Sequence, residues 1–369
     1  MIAKSLCAAV QVLLLGSCVN PLSAQQGTPD SAGVQPTRVG SALQAGEQLA
    51  LRPVAYNQPV STGFVGGCDS GYCCGDPSGF DSAMVFASAE ALFLTRNNTS
   101  RDQTVILGGA SQTLVSTDDF RFDIEGGLRL RVGYQLTDIA TIEAGYFGLH
   151  EWHEAAGATG SGDLRIPSAL GAASMDFLDA DLAAVTYESE VHSAELNLVH
   201  QFERVELLCG LRFFSLDDFF NIHSFDAGAA TASDYSIQAE NSLYGGQIGA
   251  RCYRCYRQLR FCSVVKAGVC AADIEQRTLV RDAGNTVALR DTGATASQAA
   301  FVGELGLNMA VPVFKRSHLI AGYNLIWLQG IALAPDQLDF TNTANSSRFV
   351  DSNAGVLFHG FNLGLESCW

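Results

Sequence analysis

Between Phe120 and Tyr134 the chain alternates almost without interruption. Phe120, Phe122, Ile124, Leu128, Leu130, Val132 and Tyr134 share one face, and Arg121, Asp123, Glu125, Arg129 and Arg131 share the other. A period of two belongs to a β-strand, because helical spacing would scatter these charges around the axis. The run exceeds the common soluble strand of about 5–6 residues. It suits a tilted membrane strand of about 9–11 residues with an overhang. The same reading predicts strands near 83–95, 119–135, 139–152, 181–201, 204–219, 234–252, 258–275, 298–313, 317–330 and 355–369.

The connections alternate in length. Leu136-Thr137-Asp138, Glu203-Arg204, the stretch from Cys252 to Arg257, and Phe314-Lys315-Arg316 are tight. Residues 96–118, 153–180, 220–233, 276–297 and 331–354 are long and rich in Ala, Gly, Ser, Thr and Asp. Short turns and long loops in strict order describe a barrel threaded through an outer membrane. A large soluble sandwich does not predict that order. The expected fold is all-β: an antiparallel, transmembrane, up-and-down β-barrel of about ten strands, within 8–12. Both barrel ends then lie on the short-turn, periplasmic side. Thr104 to Leu107 could add a hairpin inside the first long loop.

Composition agrees with lipid on one face. Hydrophobic residues make up 47%, charged residues only 16%, and there are 37 Gly. The net charge of -16 argues against nucleic acid. Residues 1–24 read as an export signal, with Lys4, the apolar run from Leu6 to Leu15, and Ala24 for cleavage. A rival cut before Cys18 would leave a lipidated cysteine. No later stretch reaches the roughly 20 apolar residues of a membrane helix. Residues 25–81 lack periodicity, carry repeated Pro and Gly, and are expected to be a disordered periplasmic segment. The barrel is expected over 82–369.

If the apolar face meets lipid, the other face lines the lumen. Glu90, Arg121, Asp123, Glu125, Arg129, Arg131, Glu143, Glu195, Asn197, Arg212, Lys266, Glu304, Asn308 and Asn324 are then inward. Arg121, Glu125, Arg129, Arg131, Glu143, Glu195, Arg212, Lys266 and Glu304 are the pore-lining candidates. They either set ion selectivity or neutralise one another in a closed lumen. About ten strands lies near the closed end of the size range. Gly127, Gly133, Gly145, Gly306 and Gly322 would widen the passage. Tyr134, Tyr146, Tyr244, Tyr323, Trp327 and Trp369 could form interfacial girdles.

Other groups resemble catalytic or metal motifs. His150-Glu151-Trp152-His153-Glu154 is one residue short of the zinc-helix spacing and reads as a loop tip. Asp217, Asp218 and His223 could activate water, and read more simply as a solvated rim. Cys252-Tyr253-Arg254-Cys255 lacks a redox context and reads as a hairpin disulfide beside Cys262, with Cys270 joining if register allows. Cys68, Cys73 and Cys74 read as a small local disulfide loop, because no His lies near to complete a zinc site. No catalytic residue, metal or cofactor is expected.

Ala87-Ser88-Ala89-Glu90-Ala91-Leu92-Phe93-Leu94-Thr95-Arg96 resembles the first strand of the Legionella-type pore-forming outer-membrane proteins, particularly those of planctomycete bacteria. So do Gly126 to Tyr134, Ala194 to Leu198, Leu208 to Phe214, Ile320 to Trp327 and Ala332 to Gln337. The resemblance covers roughly 83–369 and implies a β-barrel with pore activity and no catalytic residues. The strand ending at Trp369, with Asn362 and Gly364, also looks like the signal read by barrel-insertion machinery. Ser367 departs from that signal. The expected function is passive passage of ions or small solutes, with a non-conducting structural or surface-interaction barrel as the alternative. Expected partners are outer-membrane lipid and the insertion machinery, with homo-oligomerisation left open.

Overall fold

The computed structural model describes residues 85–369, apart from 169, 171–174, 203–204 and 315. The expected signal and the Pro-rich segment with Cys68, Cys73 and Cys74 lie outside the described residues. The strands are β1 (Val85–Arg96), β2 (Thr104–Leu107), β3 (Thr113–Ser116), β4 (Glu125–Thr137), β5 (Ala140–Leu164) and β6 (Ala180–Phe202). They continue with β7 (Val205–Asp226), β8 (Thr231–Tyr256), β9 (Leu259–Arg281), β10 (Ala288–Phe314), β11 (Ser317–Ile331) and β12 (Ala354–Cys368). Ten of them close into an antiparallel barrel, each beside its neighbour in sequence, and β1 seals against β12. β2 and β3 form a separate hairpin. Val85 and Trp369 exchange both backbone hydrogen bonds at 3.0 Å, which places the two barrel ends side by side.

Alternation decides which side chains meet lipid. On β7, Leu207, Cys209, Leu211 and Phe213 point outward, while Glu206, Leu208, Arg212 and Phe214 are buried inside. Above Phe213 the outward positions become Ser215 and Asp217, so the apolar belt ends there. The outward Tyr146 and Tyr323 mark that margin. Each hydroxyl lies 2.8 Å from a ring nitrogen, of His192 and His359 respectively. Tyr244 donates to Asp273 at the same margin. Such tyrosines keep an apolar ring in lipid and a polar tip in the headgroup layer.

The wall is uneven. Strands β5 to β10 run 22 to 27 residues, whereas β1, β4, β11 and β12 run 12 to 15. Six strands therefore rise beyond the belt as a curved wall. This corrects the loops expected over 220–233 and 276–297, which are largely strand, and the one expected over 153–180, whose first part to Leu164 is strand. Water replaces lipid on the outer face there, so the outward residues turn polar. The inward ones, such as Phe220, Ile222, Tyr235 and Ile237, stay apolar. Polar outward residues made these stretches look like loops.

Two changes of phase also correct the expected faces. The regular ladder of β4 begins at Glu125. Upstream, a one-turn 3-10 helix at Thr117–Asp119 leads into an unpaired stretch. Phe120 and Phe122 are buried there and pack edge-on against Tyr187, whereas Arg121 and Asp123 are exposed. The second change is a bulge at Leu149, whose φ is 66°. Below it Glu143 and Phe147 are buried, and above it Trp152 is, while Glu151 and His153 are exposed. This stretch is strand, not the expected loop tip.

The outer half of the interior is an apolar core built on Trp152, Tyr187, Phe214, Phe220, Tyr235 and Phe358. One ion pair sits in it. Arg96 reaches Asp218 at 2.8 Å, both side chains fully buried. Tyr187 (2.7 Å) and Ser189 (2.8 Å) donate to the same carboxylate, and Arg96 also bonds Ser189 and Tyr187. Removing one member strands the other charge in a dry core. Asp218→Ala should cost about 3–5 kcal/mol, and the double variant Arg96→Met, Asp218→Leu should recover most of it. The temperature at which the folded barrel loses its heat-modifiable gel migration checks this. Equal losses in both variants would contradict it.

Candidate functional site: the barrel lumen

The inner half of the interior is ionic. Arg129, Arg131, Arg212, Arg251, Arg260 and Lys266 meet Glu90, Glu143, Glu195, Glu206, Glu304 and Glu366. Alternation places them: Arg129 and Arg131 share the inward face of β4, and Lys266 and Glu304 face each other across β9 and β10. These six cations and six carboxylates balance. Balance is required, because an unpaired charge inside a lipid-embedded ring is strongly unfavourable.

The charges form two linked groups. In the first, Glu304 accepts from Arg212 at 2.9 Å, with Lys266 and Arg129 each at 3.5 Å. Lys266 also holds Glu195 at 2.7 Å. Gln247 bridges Glu195 and Asn197, both at 2.7 Å. In the second, Arg251 clamps Glu143 with both terminal nitrogens and reaches Glu206 at 3.1 Å. Arg131 extends the first group: it lies 3.7 Å from Glu90, which Arg129 approaches at 3.9 Å, and 3.4 Å from Glu366, the partner of Arg260. Arg129 donates to Asn324 at 2.9 Å, and Asn362 donates to Glu90 at 2.7 Å. A cavity of about 60 Å³ lies among these residues. That is room for several waters beside polar partners.

Arg129, Arg131, Glu143, Glu195, Arg212, Lys266 and Glu304 are thus brought together. Arg121 is not: it lies exposed at the outer end beside Asn98 and Phe120, because of the phase change there. Glu125 opens β4 at its outer end, outside the network. Sequence reasoning missed Arg251, Glu206, Arg260 and Glu366. Their signal was alternation with Gln247 and Lys266 next to the short turns, where the cysteines drew the reading instead. Gly133, Gly145 and Gly322 do not widen a passage, whereas Gly306 lines the cavity with no neighbour closer than 3.4 Å to an added Cβ. An added Cβ at Gly145 would meet Glu195 at 3.0 Å, at Gly322 it would meet Asn308 at 2.1 Å, and at Gly133 the ring of Phe86 at 1.9 Å. Their space is filled by neighbouring side chains.

The other candidate groups do not assemble. Asp218 faces the core with Arg96, whereas Asp217 faces outward. His223 pairs with Asp234 at 2.8 Å instead. Cys262 lies opposite Tyr253 and lines the cavity, while Cys252, next to the inward Arg251, takes the other face. Neither Cys252 nor Cys262 is disulfide-bonded, so the hairpin disulfide expected here does not run between these two. Cys209, Cys262 and Cys270 are thiols, and Cys255 is disulfide-bonded.

Asp217 belongs to a row of carboxylates on the outer face. Glu151, Glu190, Asp217, Glu240 and Glu275 lie directly opposite one another across β5 to β9. Partial burial, then the Glu240 carboxylate, pushes the Asp217 carboxyl above the usual aspartate range. The folded chain holds that proton more tightly than the unfolded one, so stability falls as pH rises through this range. Asp217→Asn should match the natural protein in stability below about pH 3.8, the ordinary aspartate value. It should become the more stable of the two as pH rises. Thermal unfolding across a pH series checks this, and a difference independent of pH would contradict it.

A closed, lipid-belted ring with a charged interior defines an outer-membrane β-barrel of the porin-like class. Residues 84–369 match the profile of a family described as "Putative beta barrel porin-7 (BBP7)", and the chain belongs to that family. Among solved structures, it is similar to the outer membrane protease OmpT of Escherichia coli at 8% identity. That match covers 78% of this chain and 97% of that one, with a TM-score of 0.43. A major outer membrane protein of Thermus thermophilus is 12% identical over 78% and 100%, with a TM-score of 0.25. A FadL homologue of Pseudomonas aeruginosa is 9% identical over 78% and 90%, with a TM-score of 0.28. Likeness at this level carries no argument about activity. No curated relative matches the chain.

Proposed function

We propose that the barrel is a narrow pore for passive passage of ions or small solutes, and that it catalyses no reaction. One observation carries this reading: the half of the interior that crosses the membrane is filled with paired charges around a polar cavity. Apolar side chains fill the outer half, so filling alone does not call for charge. Buried ion pairs are no better for stability than apolar packing of the same volume. Charged groups around water in a lumen are what a filter for ions uses.

The finer identity follows the motifs from Ala87 to Arg96 and from Ala332 to Gln337, which favour a place among the Legionella-type proteins of planctomycetes. Export by the signal over 1–24 and insertion through the strand ending at Trp369 complete the reading. The dry outer core favours the second reading, a structural or surface-interaction barrel that does not conduct.

Planar-bilayer recording separates the two. Purified protein should show discrete conductance steps. Arg129→Glu turns a balanced lumen into one with two excess negative charges, and should move the reversal potential in a salt gradient toward cation preference. Silence at high protein load would favour the structural barrel.

A further inference from the structure

We infer that residues 332–353 form a strap across the outer mouth, and that conduction requires this strap to swing out as one piece. The inference rests on the pore reading above.

The strap leaves and returns at one place. β11 ends at Ile331 and β12 begins at Ala354, and these two residues are paired, as are Gln329 and Gly355. Its ends are therefore pinned by the barrel while its middle is free of ladder pairing. At the departing end Gly330 has φ +84°, and the ladder shifts by a residue between Gln329 and Ile331. An added Cβ at Gly355 would lie 2.8 Å from the Leu328 carbonyl oxygen. Both ends thus pass through glycine, and the first adopts a backbone angle that other residues adopt only with strain.

From there the strap crosses the mouth. Ala332, Leu333 and Ala334 are fully buried, and the one-turn 3-10 helix Ala334–Gln337 packs against β7 and β8. Those strands lie on the far side of the ring from β11 and β12. This seat is a clasp made by wall side chains on strap backbone. The buried Asn241 donates to the Ala332 carbonyl at 2.9 Å and accepts its N–H at 2.8 Å. Arg290 donates to the Asp339 carbonyl at 2.8 Å, Gln276 to the Ser347 carbonyl at 2.7 Å, and Gln298 to the Ser352 carbonyl at 2.6 Å. The strap is also bonded to itself. Gln337 and Asp351 exchange bonds of 2.7 and 2.8 Å, and Asp339 accepts from the Ser347 N–H at 2.9 Å. Tyr235 also exchanges bonds with the Asp339 backbone at 3.2 and 3.1 Å, and Arg101 of the first long loop pairs with Asp336 and Asp351. A piece tied internally, and held to the wall by side chains and not by ladder pairing, can release as a unit. Its departure would uncover the apolar cup above the charged lumen.

The test is a reversible tether. Asn241→Cys with Ala332→Cys replaces the clasp by a disulfide, with each single variant as control, folding confirmed by heat-modifiable migration and bond formation by mass. Oxidised tethered protein should lose the conductance steps and regain them on reduction, while the controls conduct under both conditions. Asn241→Ala, which removes two buried hydrogen bonds from the closed state, should raise open probability by roughly tenfold. Failure of the disulfide to form, or conduction by the oxidised tether equal to the controls, overturns the strap while leaving the pore reading intact. Silence of the natural protein and of Asn241→Ala alike overturns the pore reading and the strap with it.

Discussion

In hydrocarbon no water is present to satisfy a backbone N–H or C=O, so a strand can cross only as part of a closed ring. The seam between β1 and β12 is where that closure is made. The eleven pairs from Phe86–Cys368 to Arg96–Phe358 leave no open edge at the level of the lipid. The alternation of the outward face, the placing of both barrel ends on the short-turn side and the enclosed lumen all follow from it.

Closure creates an interior that must be filled, and this chain fills it in two ways. At membrane depth it uses charge, and there charge must balance. Glu304 therefore faces Arg212, Lys266 and Arg129, and Arg251 holds Glu143 and Glu206. Above the membrane it uses aromatic and aliphatic side chains, with Arg96 and Asp218 as an internal pin. The change from one filling to the other coincides with the change outside, where lipid gives way to water. Inner and outer faces thus exchange character across one wall.

The uneven wall explains the strap. Six strands rise beyond the belt and four do not, so the extension cannot close by pairing alone. The apolar inner face of the tall side needs cover. Residues 332–353 and the stretch carrying Phe120 and Phe122 supply it from the short side. Side chains of β8, β9 and β10 hold the strap by its backbone, while Leu333 and Leu338 of the strap pack into the apolar core.

Strand number, the antiparallel order and much of the lumen were legible in the sequence, because each rests on a period of two that local residues display. Arg129, Arg131, Arg212 and Glu304 could be placed inward from their own strands. The height of the wall was not legible, since Asn221, His223 and Gln238 look like loop residues unless the buried Phe220, Ile222 and Ile237 between them are known to face a core. Nor was the phase at Phe120 and Leu149, where an unpaired stretch and a bulge slip the register by one residue and exchange the faces. What the sequence determined by itself was local: which residues alternate and where they turn. What only the tertiary structure decided was long-range: which charge meets which, what fills the space beside Gly145 and Gly322, and that residues 332–353 fold across the mouth. Those depend on groups brought together across the ring from distant parts of the chain, and no local pattern encodes such distances.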